Sequence, residues 1–121
     1  MKMKSVWLGA TLLTASLMLA LPSHQAAAQD FSVCQVTDVG GIDDKGFNET
    51  AWKGAQDAST KLNIKARYLE SQAETDYAPN IGSFIQEGCG IIITVGFLLG
   101  DATEKAAKAN PDTMFSIVDY A

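Results

Sequence analysis

Residues 31–46 have the sequence FSVCQVTDVGGIDDKG, and this stretch decides the fold. Its first part, residues 31–37, is rich in β-forming residues and predicts a strand. Residues 38–46 contain three glycines and three aspartates, which predicts a loop. An amphipathic helix over residues 48–62 follows, with Asn48 as its N-cap. A strand, a glycine-bearing loop and a helix in this order are typical of an α/β protein.

The rest of the chain continues the alternation of strands and helices. Predicted strands cover residues 64–69, 90–95 and 113–118, two more helices begin near Thr75 and Ala102, and residues 96–101 form a second glycine-bearing loop. Strands joined by single helices favour a parallel, right-handed, doubly wound α/β sheet, here with strand order 2-1-3-4. Such a sheet usually has at least one more strand, so we expect a truncated domain.

The first 28 residues are predicted to be a secretory signal peptide. A basic start with Lys2 and Lys4 precedes an apolar stretch at residues 5–21 and a small-residue tail, which favours cleavage before Gln29. A retained membrane anchor is the alternative, but the apolar stretch is shorter than the roughly 20 residues that a spanning helix needs. We therefore expect an exported protein, periplasmic or at the cell surface, whose ligand-binding part is residues 29–121.

Charge excludes one class of partner. The formal net charge is −5, and removal of Lys2 and Lys4 with the signal peptide makes it −7. No cluster of lysine or arginine is present, so nucleic acid is not an expected partner.

Catalysis is not expected either. A magnesium-dependent phosphoryl-transfer enzyme, the alternative here, would bind the metal through Asp38, Asp43 and Asp44. Such enzymes need a second aspartate either two positions after the first, where this chain has Gly40, or at the end of the third strand, where it has Gly96 and Phe97. The only histidine, His24, lies in the predicted signal peptide, so the remainder lacks a nucleophile–base pair. We expect no metal and no cofactor.

The topology predicts where a ligand would bind. In doubly wound sheets, ligands lie beyond the carboxyl ends of the strands, where the strand order reverses. With order 2-1-3-4 this point lies between the first and third strands, beside the loops at residues 38–46 and 96–101. Asp119 ends the fourth strand at the same edge, so two loops and a carboxylate should converge there.

The residues at this edge favour an uncharged, polar ligand that contains a ring. Residues 40–46 lack the endings and spacings of phosphate-binding glycine loops, and their aspartates would repel a phosphate. Carboxylates accept hydrogen bonds from a diol, an amide matches a heterocycle edge, and aromatic rings stack on a base. A nucleoside fits this set, with a sugar or another small polar metabolite as the alternative. The predicted ligand-binding residues are Asp38, Phe47, Asn48, Gly96, Phe97 and Asp119.

Structural roles compete with these assignments. Asp43 and Asp44 are also suited to cap the first helix, Asp38 is also suited to close a turn, and Phe47 is also suited to the core. A disulfide between Cys34 and Cys89 is chemically permitted in an exported protein. However, Cys89 lies about three residues further from the loops than Cys34, an offset that can exceed the roughly 7 Å Cα separation a disulfide allows. Both outcomes stay open.

Several segments resemble the basic membrane protein family, the nucleoside-receptor-like substrate-binding proteins of ABC importers. The similarity covers nearly all of the chain after the predicted signal peptide. It is carried by residues 36–48 (VTDVGGIDDKGFN), 51–54 (AWKG), 77–81 (YAPNI), 95–97 (VGF), Ala106-Ala107 and 115–119 (FSIVD).

This resemblance implies a type I periplasmic-binding fold, in which two α/β lobes close on a purine nucleoside. It places Phe47 against the base, Asp38 and Asn48 near polar ligand atoms, and Asp119 as a hydrogen-bond acceptor, and it implies a membrane permease as partner. The chain differs from many relatives in lacking a lipid-attachment cysteine. It would supply only part of the amino-terminal lobe, so we expect it to bind ligand weakly or not at all by itself.

Overall fold

The computed structural model describes residues 31–121, so the predicted signal peptide at residues 1–28 lies outside the described part. Strands and helices alternate along this range, as the sequence predicts. Their bounds are β1 Ser32–Val36, α1 Phe47–Leu62, β2 Lys65–Leu69, α2 Tyr77–Gln86, β3 Ile91–Val95, α3 Gly100–Ala109 and β4 Met114–Val118, with short 3-10 turns at Glu74–Asp76 and Phe97–Leu99.

The four strands form one parallel sheet in the order β2-β1-β3-β4, which confirms the predicted fold class and strand order. Cys34 lies opposite Ile92, and Ile92 lies opposite Phe115. Because the strands are parallel, the segments that follow them meet at one edge of the sheet. We call this edge the rim; it comprises residues 38–48, 70, 96–99 and 119–120.

Helices cover both faces of the sheet. The core lies on the face of the sheet that α2 and α3 cover. There, every second residue of a strand points towards the buried faces of the two helices. Its buried members are Cys34, Val36, Tyr77, Ile81, Phe84, Cys89, Ile92 and Leu99.

Helix α1 lies on the opposite face, mainly against β1 and β2. Beside it, towards β3 and β4, the described residues leave an open groove of about 440 Å³ whose lining is almost entirely apolar. Val33, Ile91, Ile93 and Val118 form its floor on the sheet, and Leu62 lies at its edge on α1.

Residues 96–101 do not form the loop that the sequence predicts. The Leu99 N–H donates to the Gly96 carbonyl at 3.1 Å, which closes a 3-10 turn, and α3 begins at Gly100 rather than Ala102. Gly100 has helical backbone angles (φ −49°), and Leu99 between the glycines is fully buried. Burial of Leu99 stabilises a helical turn that the glycines alone would not favour.

Cys34 and Cys89 form a disulfide with a Cα–Cα distance of 6.2 Å. The three-residue offset expected from the sequence does not move the two Cα atoms out of disulfide range. The reason is that Cys89 precedes β3 and lies in the turn that ends α2. Its N–H donates to the Phe84 carbonyl at 3.1 Å, and Gly88 adopts a positive φ of 71° there. This turn holds Cys89 over the face of β1 that carries Cys34.

Within residues 31–121, none of the helices has the length and apolar character needed to cross a membrane.

Candidate functional site

The loop after β1 is folded around the carboxylate of Asp38. Asp38 Oδ1 accepts a hydrogen bond from the Gly40 N–H at 2.9 Å and another from the Asn48 side-chain amide at 2.8 Å. The first bond closes a local turn, and the second joins the start of the loop to the first turn of α1. Asp38 is therefore held from both sides at the carboxyl end of β1.

Asp44, which the sequence analysis also offered as a capping residue, provides the cap of α1 in place of Asn48. The helix begins at Phe47 after Gly46, and Asn48 lies inside its first turn. Asp44 Oδ1 accepts from the N–H groups of Gly46 (2.8 Å) and Glu49 (3.1 Å), and Asp44 Oδ2 accepts from the Asn48 N–H (3.0 Å). The prediction that Asn48 is the N-cap is wrong because Asp44 already satisfies the first N–H groups of the helix.

These contacts change the acidity of Asp44. Burial by itself would raise the pKa of its carboxyl, but the hydrogen bonds from Glu49, Asn48 and Gly46 outweigh burial and lower the pKa from 3.8 to about 2. The charged carboxylate is the form that accepts these bonds, and it also faces the positive end of the helix dipole. Asp44 is ionised at neutral pH.

Asn48 connects the two carboxylates from a buried position. Its side-chain amide donates to Asp38 Oδ1 and, at 2.9 Å, to Asp44 Oδ2, which uses both amide hydrogens. The backbone carbonyl of Asn48 accepts from Gln35 Nε2 at 2.9 Å, and the residue is 1% exposed. The geometry gives Asn48 a supporting position behind Asp38, and direct contact with a ligand stays a prediction.

Gly96 brings the end of β3 against the end of β1. It has φ 111°, a conformation that strongly favours glycine, and a Cβ at this position would lie 2.9 Å from Cβ and Cγ of Asp38. Only a residue without a side chain permits this approach. The two predicted loops are therefore neighbours at the rim.

Asp119 lies at the same place. The Gly96 N–H donates to the Val118 carbonyl at 3.0 Å, so the peptide that leads into Asp119 is bonded to the end of β3. Asp119 has φ 63° and is exposed. The next residue, Tyr120, packs its ring against Gly100 at the start of α3. A Cβ on Gly100 would lie only 2.8 Å from Tyr120 Cζ.

The two predicted stacking residues present their rings to solvent. Phe47 is 57% exposed and Phe97 is 65% exposed, so neither is a core residue. Each directly adjoins a residue already placed at the rim, since Phe47 precedes Asn48 and Phe97 follows Gly96. Exposed aromatic side chains beside fixed polar groups are typical of ligand-binding surfaces.

Two residues that support the rim were missed by the sequence analysis. Glu70 Oε1 accepts a hydrogen bond from the Ile42 N–H at 2.7 Å, which ties the middle of the loop to the end of β2. Its position directly after a predicted strand was the available signal. Tyr77 is buried beneath the loop, and this burial raises the pKa of its hydroxyl, with the charges of Asp38 and Glu74 acting in the same direction.

At the rim, the carboxylates of Asp38 and Asp119 and the exposed phenyl rings of Phe47 and Phe97 form a set that can accept hydrogen bonds from hydroxyl groups and stack on a planar ring. Across residues 31–121, no three His, Cys, Asp or Glu side chains are close enough together to hold a metal ion.

Comparison with known proteins agrees with this architecture. Residues 31–120 match the family described as ABC transporter substrate-binding protein, PnrA-like. The chain is 36% identical over 98 residues to the CD4+ T-cell-stimulating antigen of Listeria monocytogenes, covering 77% of this chain and 28% of that protein. It is 39% identical over 94 residues to the ABC transporter nucleoside-binding protein BmpA of Lactococcus lactis subsp. cremoris, covering 74% of this chain and 27% of that protein.

A solved structure described as an ABC transporter system solute-binding protein, from Aeropyrum pernix K1, has the same fold. It superposes with a TM-score of 0.69 at 29% identity, covering 75% of this chain and 25% of that one. The chain thus spans about a quarter of the length of these relatives. Because the family match extends over the whole sheet and rim, the chain belongs to the PnrA-like family of ABC transporter substrate-binding proteins.

Proposed function

We propose that this chain forms the ligand-binding rim of an extracytoplasmic substrate-binding protein of an ABC importer, and that its ligand is a purine nucleoside. The observation that carries the proposal is the meeting of Asp38, Gly96 and Asp119 at one edge of the sheet. The exposed rings of Phe47 and Phe97 adjoin this point.

Each part of a nucleoside has a matching group at the rim. The faces of Phe47 and Phe97 are available to stack on a purine base. The carboxylates of Asp38 and Asp119 are suited to accept hydrogen bonds from ribose hydroxyls or from N–H groups of the base. The same carboxylates would repel a phosphate, so the proposal is for nucleosides rather than nucleotides.

Relatives support the ligand and the partner. The Lactococcus protein is described as nucleoside-binding, and the family description names ABC transport. A substrate-binding protein of an importer delivers its ligand to a membrane permease, so we propose a permease as the protein partner. We expect the rim residues, rather than the sheet, to decide which nucleoside is preferred.

Two features of the chain support the proposal that the protein is exported. The order of basic, apolar and small-residue segments at positions 1–28 is typical of a signal peptide, which supports export. A disulfide between Cys34 and Cys89 fits an oxidising compartment.

The test is a titration followed by NMR, because chemical-shift mapping detects weak binding. The ¹⁵N-labelled chain without residues 1–28 is titrated with inosine, adenosine and guanosine, and separately with ribose and adenosine monophosphate. We expect the nucleosides to shift the amide signals of Asp38, Gly96 and Asp119. Ribose and the monophosphate should shift them at least about tenfold more weakly, since the first lacks the base and the second adds repelled charge.

Phe47→Ala should weaken nucleoside binding by roughly 5- to 150-fold, because it removes a stacking surface worth about 1–3 kcal/mol. Phe31→Ala is the control: Phe31 is also an exposed aromatic residue but lies at the opposite edge of the sheet, before β1. The proposal fails if saturating nucleoside leaves the rim signals in place, or if Phe31→Ala and Phe47→Ala weaken the shifts equally.

A further inference from the structure

The chain contains a single arginine, Arg67, and its guanidinium lies on the Cys34–Cys89 disulfide. Arg67 Nη2 is 3.5 Å from Cys89 Sγ and 4.0 Å from Cys34 Sγ. Both sulfurs are therefore within contact range of one fixed positive charge. Neither the rim nor the proposed ligand uses this cluster, which lies where α2 turns back towards the sheet.

The guanidinium is held in place from two further sides. Its Nη1 forms an ion pair with Glu87 at the end of α2. Its Cζ lies 5.8 Å from the centre of the Phe84 ring, within the range of a cation–π contact. Although the Arg67 side chain is 45% exposed, these contacts favour a position of the guanidinium over the sulfurs.

The two sulfurs differ in access. Cys34 lies in the central strand β1 and is 0% exposed, whereas Cys89 lies in a turn between Gly88 and Gly90 and is 6% exposed. The cation is also closer to Cys89. Both cysteines are buried, and a reagent that reaches the disulfide through a local opening of this turn would meet Cys89 first.

We propose that the Cys34–Cys89 disulfide is a thiol-exchange site, at which a small external thiol attacks Cys89 and Arg67 stabilises the negative charge of the reaction. In thiol–disulfide exchange the attacking species is a thiolate, and the negative charge spreads over the sulfurs as the bonds change. A guanidinium in contact with both protein sulfurs stabilises that charge in either direction of the reaction.

The reaction is a two-electron exchange in two steps. The external thiolate forms a bond to Cys89 Sγ, the bond between Cys89 and Cys34 breaks, and Cys34 leaves as a thiolate that takes a proton from water. A second external thiolate then attacks the mixed disulfide at the external sulfur. This releases the oxidised external disulfide and leaves Cys89 reduced; the reverse sequence forms the protein disulfide from two thiols.

The test starts from the oxidised, folded chain without residues 1–28. It is exposed to increasing glutathione at pH 7.5, quenched with iodoacetamide and analysed by peptide mass spectrometry. We expect a rate that rises in proportion to the thiol concentration, with glutathione first found on Cys89 and the alkyl group on Cys34. Arg67→Gln should slow this exchange about tenfold, and Arg67→Lys should restore part of the rate.

Glu87→Gln is the matched control, because it removes the ion pair but keeps the guanidinium on the sulfurs. We expect its exchange rate to equal or exceed that of the unmodified chain. Three results would each overturn the proposal: a rate that does not depend on thiol concentration, which indicates exchange through unfolding; glutathione found equally on both cysteines; or an unchanged rate in Arg67→Gln. Thermal unfolding of each variant, measured in parallel, separates charge from stability.

Discussion

At the scale of single residues, the rim depends on carboxylates that accept several hydrogen bonds each. Asp44 accepts four, three of them from backbone N–H groups at the start of α1. A carboxylate in this position stabilises a helix in two ways, since it satisfies N–H groups that lack partners and carries a charge opposite to that of the helix end. Asp38 has a comparable role in the loop, through Gly40 and Asn48.

Asp44→Asn should lower the free energy of unfolding by about 1–2 kcal/mol at pH 7, after allowance for the partial solvent exposure of the group. Asp43→Asn changes the charge equally but alters an exposed neighbour, and we expect less than about 0.5 kcal/mol from it. Urea denaturation of both variants measures the difference. Equal losses in the two variants would mean that net charge, and not the hydrogen bonds of Asp44, is responsible.

The pH dependence of stability follows from the same residue. The folded-state pKa of Asp44 is lowered to about 2, so the unfolded chain binds this proton more readily than the folded one. Its stabilising contribution is therefore complete above about pH 5 and is lost as the pH falls towards 2. Between these pH values, stability should decline more steeply in the unmodified chain than in Asp44→Asn, as followed by urea denaturation at each pH.

At the scale of elements, the junction of β1 and β3 requires a glycine. Gly96→Ala should destabilise the chain by about 2–4 kcal/mol, because the new methyl group meets Asp38 and the backbone keeps a positive φ. Gly82→Ala is the matched control. Gly82 lies within α2 with open space where a Cβ would be, so alanine should stabilise by about 0.5–1 kcal/mol. If the midpoint of thermal unfolding shifted in the same direction for both variants, this account would be contradicted.

The elements and their order could be predicted because they depend on patterns in the chain itself. The apolar run at residues 90–95 and the alternation of strands with helices determine a parallel sheet, and a parallel sheet brings Asp38, Gly96 and Asp119 to one edge. Side-chain partners within the rim could not be predicted in this way. Asn48 is a residue type that favours the N-cap position, but Asp44 accepts from the first N–H groups of the helix instead. The local sequence does not decide between the two.

For the disulfide, too, the positions along the strands could be predicted from the sequence, but the distance between the two cysteines could not. Counting residues along β1 and β3 correctly gives the offset between Cys34 and Cys89, yet their Cα atoms are 6.2 Å apart. The separation depends on how the chain leaves α2, which in turn depends on Gly88 at φ 71° and on the bond from Cys89 to Phe84. A glycine can adopt that backbone conformation, but its presence does not require it.

At the scale of the whole molecule, the described residues bury the two faces of the sheet unequally. Helices α2 and α3 cover one face, whereas on the other α1 leaves the apolar groove beside β3 and β4 open. An apolar surface of this kind binds hydrophobic probes and favours association at high concentration. We therefore expect substitutions in the groove to change the tendency of the chain to associate.

The folded chain without residues 1–28 should therefore bind the dye ANS with increased fluorescence while its near-ultraviolet circular dichroism stays that of a packed protein. Leu62→Lys should reduce this fluorescence by at least about half, because Leu62 lies at the edge of the groove and is 67% exposed, so that a charge there costs little stability. Leu98→Lys makes the same change at the rim, at a residue that is 42% exposed. If the two variants reduced the fluorescence equally, the dye would be bound at the rim or over the general surface, and the groove would not be the main exposed apolar site.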